Sequence, residues 1–254
     1  MTIRQQMPRI GTRKLYHLLR EEFKREGISV GRDKLFTLLR QEHLLVGKRK
    51  RFTKTTNSHH WMRKHPDMVK DMTIERPEQL WVADITYVAI ETGYAYLHLV
   101  TDAYSKQIMG YFVSTDLCAS STIKALTMAL ENRKYNNKLI HHSDRGLQYC
   151  SSGYVKILNE NNVSISMTQS GSPYDNAIAE RVNGILKDEF GLDQVFKNIE
   201  QLKKQTSESV KIYNEQRPHL SNEMFTPEKM HLQDLLKPKK WNKKSTENLI
   251  PALL

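Results

Sequence analysis

The run LWVADITYVAI, residues 80–90, is rich in β-branched and aromatic side chains and reads as a strand. GYAYLHLVTDAYS (93–105) and QIMGYFVST (107–115) follow after short turns, which predicts three consecutive strands joined by hairpins. Then come a helix in SSTIKALTMALENR (120–133), a short strand in KLIHHSD (138–144), a helix in SSGYVKILNENN (151–162) and a strand in VSISMT (163–168). SGSPYDNAIAERVNGILKDEF (170–190) starts like a loop and continues as a helix. Ser172 is its expected N-cap, Pro173 suits its first turn, and Asp175 stands three residues after Ser172 as in a capping box. At about 100° per residue, Ile178, Val182, Ile185 and Leu186 share its apolar side. Glu180, Asn183, Gly184 and Lys187 share the opposite side, with Asn176 nearby. Gly184 is costly in a helix interior, by roughly 1 kcal/mol against alanine, and its presence suggests that room is needed beside the polar face.

The element order is strand, strand, strand, helix, strand, helix, strand, helix. It predicts an α/β fold with a mixed sheet and flanking helices, in the ribonuclease-H-like arrangement. Asp84 interrupts an apolar strand, where a carboxylate is expensive unless compensated. Asp144 ends a strand just before RGLQY, and Glu180 lies on the polar helix face. Convergent carboxylates repel one another unless a cation or proton neutralises them. Hard oxygen ligands with open positions suit Mg²⁺ or Mn²⁺. Read singly, each acid has a plainer role: Asp84 as a buried acid on backbone amides, Asp144 as a cap of the turn before Gly146, Glu180 as a solvated helix residue. Asp102 and Asp175 compete for the metal role, although Asp102 also suits a turn before Tyr104. His141 and His142 are adjacent on a strand and face opposite ways, so at most one points at the site.

The net charge is +11 and unevenly placed. Residues 1–70 hold 18 Lys and Arg against 6 Asp and Glu, whereas residues 71–254 hold 21 against 22. A basic nucleic-acid-binding module joined to a near-neutral domain fits this distribution. GTRKLYHLLREEFKREG (11–27) carries Leu15, Leu18, Leu19 and Phe23 at helical spacing, with Gly27 as a stop. SVGRDKLFTLLRQEHLLVG (29–47) repeats the pattern with Leu35, Leu38, Leu39 and Leu44. Together they predict a small all-helical helix-turn-helix unit, with Arg32 and Lys34 early in its second helix, where a recognition helix meets the groove. GKRKRFTKTTNSHHWMRKHP (47–66) follows as a basic stretch along phosphates, with Lys48, Arg49, Lys50 and Arg51 as candidate DNA contacts and Phe52 and Trp61 as anchors. No apolar run approaches membrane-spanning length, and no signal-peptide pattern stands at the N-terminus. Two cysteines, Cys118 and Cys150, are too few for a disulfide framework and read as reduced thiols of a cytoplasmic protein.

WVADITYV (81–88), HHSDRGLQY (141–149) and SPYDNAIAERVNGILKDEF (172–190) together resemble the three acidic motifs of the DDE transposases of bacterial insertion sequences, relatives of retroviral integrases. The 35 residues between Asp144 and Glu180 are similar to that family's integrase-type spacing. YNEQRPHLSNEMFTPEKM (213–230) resembles the segment that closes its core. The resemblance implies that Asp84, Asp144 and Glu180 are the catalytic, metal-binding triad for Mg²⁺ or Mn²⁺, with two ions. It implies that Lys187 contacts transposon-end DNA, with Arg145 and Asn176 as further DNA contacts near the triad. It also implies transposon-end and target DNA as partners, a homo-oligomer on DNA, an upstream-frame product joined by ribosomal frameshifting, and a nucleoid-associated location. The expected division is a helix-turn-helix region over 1–47, a basic linker over 48–75, a catalytic core over 76–216, and a closing segment with a solvated basic tail over 217–254. The implied function is metal-dependent cleavage of transposon ends and strand transfer. A catalytically inert DNA-binding regulator and a non-transposing ribonuclease-H-like nuclease are the alternatives.

Overall fold

The computed structural model describes residues 2–47, 62–70, 72–169, 176–232 and 239–240. Three helices come first: α1 (Thr2–Gln6), α2 (Thr12–Arg25) and α3 (Arg32–Gln41). After β1 (Thr73–Ile74), the antiparallel meander β2 (Leu80–Ile90), β3 (Gly93–Asp102) and β4 (Ile108–Ser114) leads to α4 (Ala119–Glu131). Then follow β5 (Leu139–Ser143), α5 (Leu147–Cys150), α6 (Ser152–Glu160), β6 (Val163–Met167), α7 (Ala177–Phe190) and α8 (Ile199–Glu215). A 3-10 turn at Leu220–Asn222, α9 (Pro227–His231) and β7 (Lys239–Lys240) complete the order. The main sheet runs β4-β3-β2-β5-β6, with β5 parallel to both neighbours. The five predicted strands form this mixed sheet; the short α5 and β1 are additional to the predicted order.

The period-two pattern of β2 divides its side chains between two layers. Trp81 and Ala83 pack with Ala125, Leu126 and Ala129 of α4 and with Tyr154 and Leu158 of α6. Val82 packs with Ala179 at the start of α7, and Val88 and Ile90 pack with Val182, Ile185 and Leu186 further along it. Central β2 is therefore covered on both faces, which explains its nearly continuous apolar run. Gly110 lets α4 lie directly on β4: a Cβ there would come 2.1 Å from the Ala125 carbonyl oxygen and 2.6 Å from the Ala129 nitrogen. Side chains close the outer edge of β4. Asn214 accepts from the Ile108 N–H and donates to its carbonyl, both at 3.0 Å, and Asn132 donates to the Met109 carbonyl at 2.9 Å. Capping an edge strand this way removes a template for unwanted pairing.

The predicted helical pair is present as α2 and α3, with Gly27 at φ +65° ending the first helix. Its seam is narrower than the leucine pattern suggested. Leu15, Leu35 and Leu39 are buried, but Leu38 is 39% exposed and Leu44 lies beyond α3 at 47%. Two short helices cover one stripe of each other, and Leu38 falls outside it. The pair is also seated on the rest of the molecule, since Met7, Ile10 and Leu15 share an apolar cluster with Phe190, Val210 and Tyr213. Lys14 meets Glu189 of α7 at 2.7 Å, and Arg217 grips the same carboxylate through two bonds of 2.8 and 2.7 Å. Glu189 thereby ties α2, α7 and the closing segment together.

A second buried cluster fixes the chain after α8. His231 bonds through Nε2 to Glu78 (3.1 Å) and through Nδ1 to the Ser105 hydroxyl (3.0 Å), with Asp102 3.8 Å away. Glu78 also accepts from the backbone N–H groups of Lys134 and Tyr135. Burial lowers the pKa of His231, but the Asp102 and Glu78 carboxylates raise it more, to about 9. In the expected solvated tail, the backbone of Lys239–Lys240 pairs with Thr73–Ile74, a local order that a run of lysines does not announce. The rest of KPKKWNKKS lies outside the described residues. Among the described residues, no helix is long and apolar enough to cross a membrane.

Candidate active site

The parallel register aligns Val82 with His142, and β5 ends one residue later at Ser143. The paired register stops at Val82 and His142, two residues short of Asp84 and Asp144, and the charge of Asp144 acts on Asp84. Asp144 has just left the strand, and its Oδ1 accepts from the Gly146 N–H at 2.9 Å. The turn role expected of Asp144 is thus filled. Helix α7 crosses this sheet end. Its Asn183 donates to Asp84 Oδ2 at 2.7 Å, and its N-cap Asn176 donates to the Ala83 carbonyl at 2.9 Å. Glu180 is exposed on the same helix, one turn before Asn183.

Electrostatics show how closely these acids are coupled. Asp84 retains some accessible surface, yet its carboxyl lies among protein atoms and its pKa rises to about 7. Burial is the largest cause and the charge of Asp144 the next. The Asn183 and Ile85 bonds oppose them, and Glu180 adds a smaller upward push. Lys187 is half-buried. Burial lowers its pKa, while the charges of Asp84 and Asp188 pull the other way. Its ammonium sits 4.8 Å from the centre of the Tyr87 ring. A Cβ on Gly184 would meet no atom within 4 Å, so the face between Glu180 and Lys187 is open.

Among the described residues, no three His, Cys, Asp or Glu side chains form a ready-made ion cage. The donor set nevertheless fits a magnesium-type ion, which takes one or two carboxylates and completes its shell with water and phosphate oxygens. Asp84 and Asp144 supply such a pair. Burial and then the like charge of Asp144 lift the Asp84 pKa, and a divalent cation would offset both.

Other expected contacts are placed differently. Asn176 is 6% exposed and donates to the Ala83 carbonyl, so its amide anchors α7 to β2. Its amide competes well for that carbonyl because the helix begins there. Helix α7 starts at Ala177 rather than near Ser172; Ser172, Pro173 and Asp175 lie outside the described residues. Arg145 is half-buried, close enough to Cys150 for its charge to act on the thiol. Arg32 and Lys34 are exposed at the start of α3, Arg32 bonding Asp33 at 2.8 Å. Lys48, Arg49, Lys50 and Arg51 lie outside the described residues. His141 and His142 are both fully buried, His141 bonded to Tyr154 and His142 to Ser166. Asp102 serves its turn, accepting from Ser105 and from the Glu78 N–H. Cys118 is exposed, Cys150 buried, and both are unpaired thiols. Asn183 had been placed on the polar face without a role; an amide three residues after Glu180 was the signal for it.

A five-stranded mixed sheet with an acid on its central strand, a second at the end of the adjacent parallel strand and a third on the crossing helix defines a ribonuclease-H-like core of integrase type. The Integrase core domain family matches residues 74–173, and a second Integrase core domain family matches residues 161–227. The 31 kDa protein of insertion element IS600 of Shigella sonnei is 37% identical over 83% of this chain and 79% of that protein. The transposase for insertion sequence element IS629 of Shigella sonnei is 33% identical over 82% of this chain and 68% of that protein. Among solved structures, the HTLV-2 integrase catalytic core domain in complex with magnesium superposes with a TM-score of 0.50. It shares 16% identity and covers 61% of this chain and 97% of that one. The chain belongs to the DDE transposases of bacterial insertion sequences, enzymes of DNA transposition and integration.

Proposed function

We propose that this transposase cleaves the ends of its element and joins them to target DNA at a site built from Asp84, Asp144 and Glu180. The observation that supports the reading is that the charges of Asp144 and, more weakly, Glu180 both act on the buried Asp84 carboxyl. These three would hold Mg²⁺ or Mn²⁺, two ions in all. Divalent ions bound there supply the charge that activates the attacking oxygen and stabilises the leaving one.

The chain's own residues do the positioning. Asn183 fixes the orientation of Asp84, and the Gly146 N–H fixes that of Asp144. Lys187, beside Asp84 on the open α7 face, offers a cation to a DNA phosphate. Water attacks the scissile phosphorus and the bond to the 3′-oxygen breaks, leaving a 5′-phosphate and a free 3′-hydroxyl. That hydroxyl then attacks a target phosphodiester, whose own P–O3′ bond breaks as the new one forms, releasing a 3′-hydroxyl on the target strand. Arg145, Arg32, Lys34 and the basic run Lys48–Arg51 add phosphate contacts. Joining two ends to one target requires sites acting together, so the enzyme works as a homo-oligomer on DNA, in the nucleoid. An upstream-frame product of the same element is a further partner.

The test is incubation with DNA carrying the element's terminal repeats, with and without Mg²⁺. Mg²⁺-dependent nicking followed by joined products is expected. Nicks that never join would indicate a hydrolase, and binding without nicking an inert regulator.

A further inference from the structure

Beyond the acids, the same end of the sheet carries an aromatic surface with no structural task. Among the described residues, the β5-side edge of β2 carries no strand pairing between Val82 and Ala89, and Tyr87 lies on this stretch. Tyr87 receives the Lys187 ammonium on one side and meets Tyr94 edge to face on another, with ring centres 5.5 Å apart at 83°. Tyr94 follows the β2–β3 turn and is 60% exposed. An exposed ring, a second ring at right angles and a cation over that second ring form a step with a π surface at its outer end and positive charge at its inner end. Bases stack on such rings while cations hold the phosphates between them.

We infer that Tyr94, Tyr87 and Lys187 form a stacking platform for an unpaired DNA base flanking the scissile phosphate. The inference rests on the proposed function and adds the state of the substrate: a DNA end opened over its last pairs. Distance sets which base is held. Tyr87 stands three places beyond Asp84, on the alternate face of β2. Lys187 links the two around the strand edge, its ammonium 4.8 Å from the Tyr87 ring and within reach of the Asp84 charge. The offset along the strand is roughly 10 Å, about three base steps at 3.4 Å each. The held base therefore lies within about three nucleotides of the cleaved bond. Tyr94 is the outermost and most exposed element, so its substitution leaves the fold intact.

Two readouts decide the matter. The first is cleavage of fully paired ends compared with ends carrying mismatches over the last three pairs. Tyr94→Ala is expected to lose about 10-fold on paired ends, in line with alanine effects on stacking platforms, and to regain most of this on mismatched ends. Tyr94→Trp keeps activity on both. The second is fluorescence of 2-aminopurine placed within three nucleotides of the cleavage point, measured without divalent ions so that no catalysis is needed. The wild type quenches it and Tyr94→Ala does not. Equal cleavage of both substrates by Tyr94→Ala and wild type, or quenching that survives the substitution, overturns the platform. If the wild type cleaves neither substrate, the proposed function fails, and the fluorescence comparison still decides whether the platform binds a base.

Discussion

Asp84→Asn is expected to reduce end cleavage and strand transfer by at least about 10³-fold while leaving DNA binding intact. The substitution keeps the shape and the acceptor oxygen facing Asn183 but removes the charge. Metal-assisted displacement draws several kcal/mol from ligand-held charge, and each 1.36 kcal/mol is tenfold in rate. Stability should move the other way. The folded pKa of Asp84 is raised to about 7, above its unfolded value, because burial and Asp144 disfavour the anion. Stability is therefore lost as pH rises from about 4, where the unfolded chain ionises, to about 7; the cost is full above that, and the neutral amide removes it. Thermal unfolding at pH 8 without divalent ions should show the variant at or above the wild type. A variant that still joins strands removes Asp84 from the mechanism.

His231→Ala should produce the largest loss of stability. It strips the cationic partner from Glu78 and the neighbour of Asp102, both fully buried. Breaking a buried pair by removing one member costs about 3–5 kcal/mol. The pH dependence has a definite sign. The folded pKa of His231, raised to about 9, exceeds its unfolded value near 6.5, so its contribution is full below about pH 6.5 and disappears as pH rises through 9. Urea unfolding at pH 6 and pH 9.5 should show wild-type stability falling across this window, with the fall much reduced in the variant. A loss under about 1 kcal/mol at pH 6 would mean that the cluster does not hold the closing segment.

Much of this architecture is legible in local pattern. The succession of strands and helices followed from β-branched and aromatic runs such as Leu80–Ile90, and the apolar stripe of α7 from Val182, Ile185 and Leu186. Asp84 and Asp144 stood out because acids are costly inside or at the end of apolar strands. Long-range polar partners were not legible. Glu78 and His231 are 153 residues apart, and Lys14 and Glu189 are 175 apart; local spacing does not indicate which buried acid meets which base. Asn176 illustrates the converse. Polar side chains near an expected site look like DNA contacts until tertiary packing gives one of them a carbonyl to bond. Leu38 and Leu44 show that leucine spacing overstates a seam when the partner helix is short.

The central claim is that Asp84, Asp144 and Glu180 together hold divalent ions. Anomalous diffraction from crystals of the end-DNA complex grown with Mn²⁺ tests it most directly. The account predicts manganese peaks liganded by these three side chains, lost when Asp84 is replaced by Asn. Peaks on other residues, or wild-type crystals with none at this site, would contradict it.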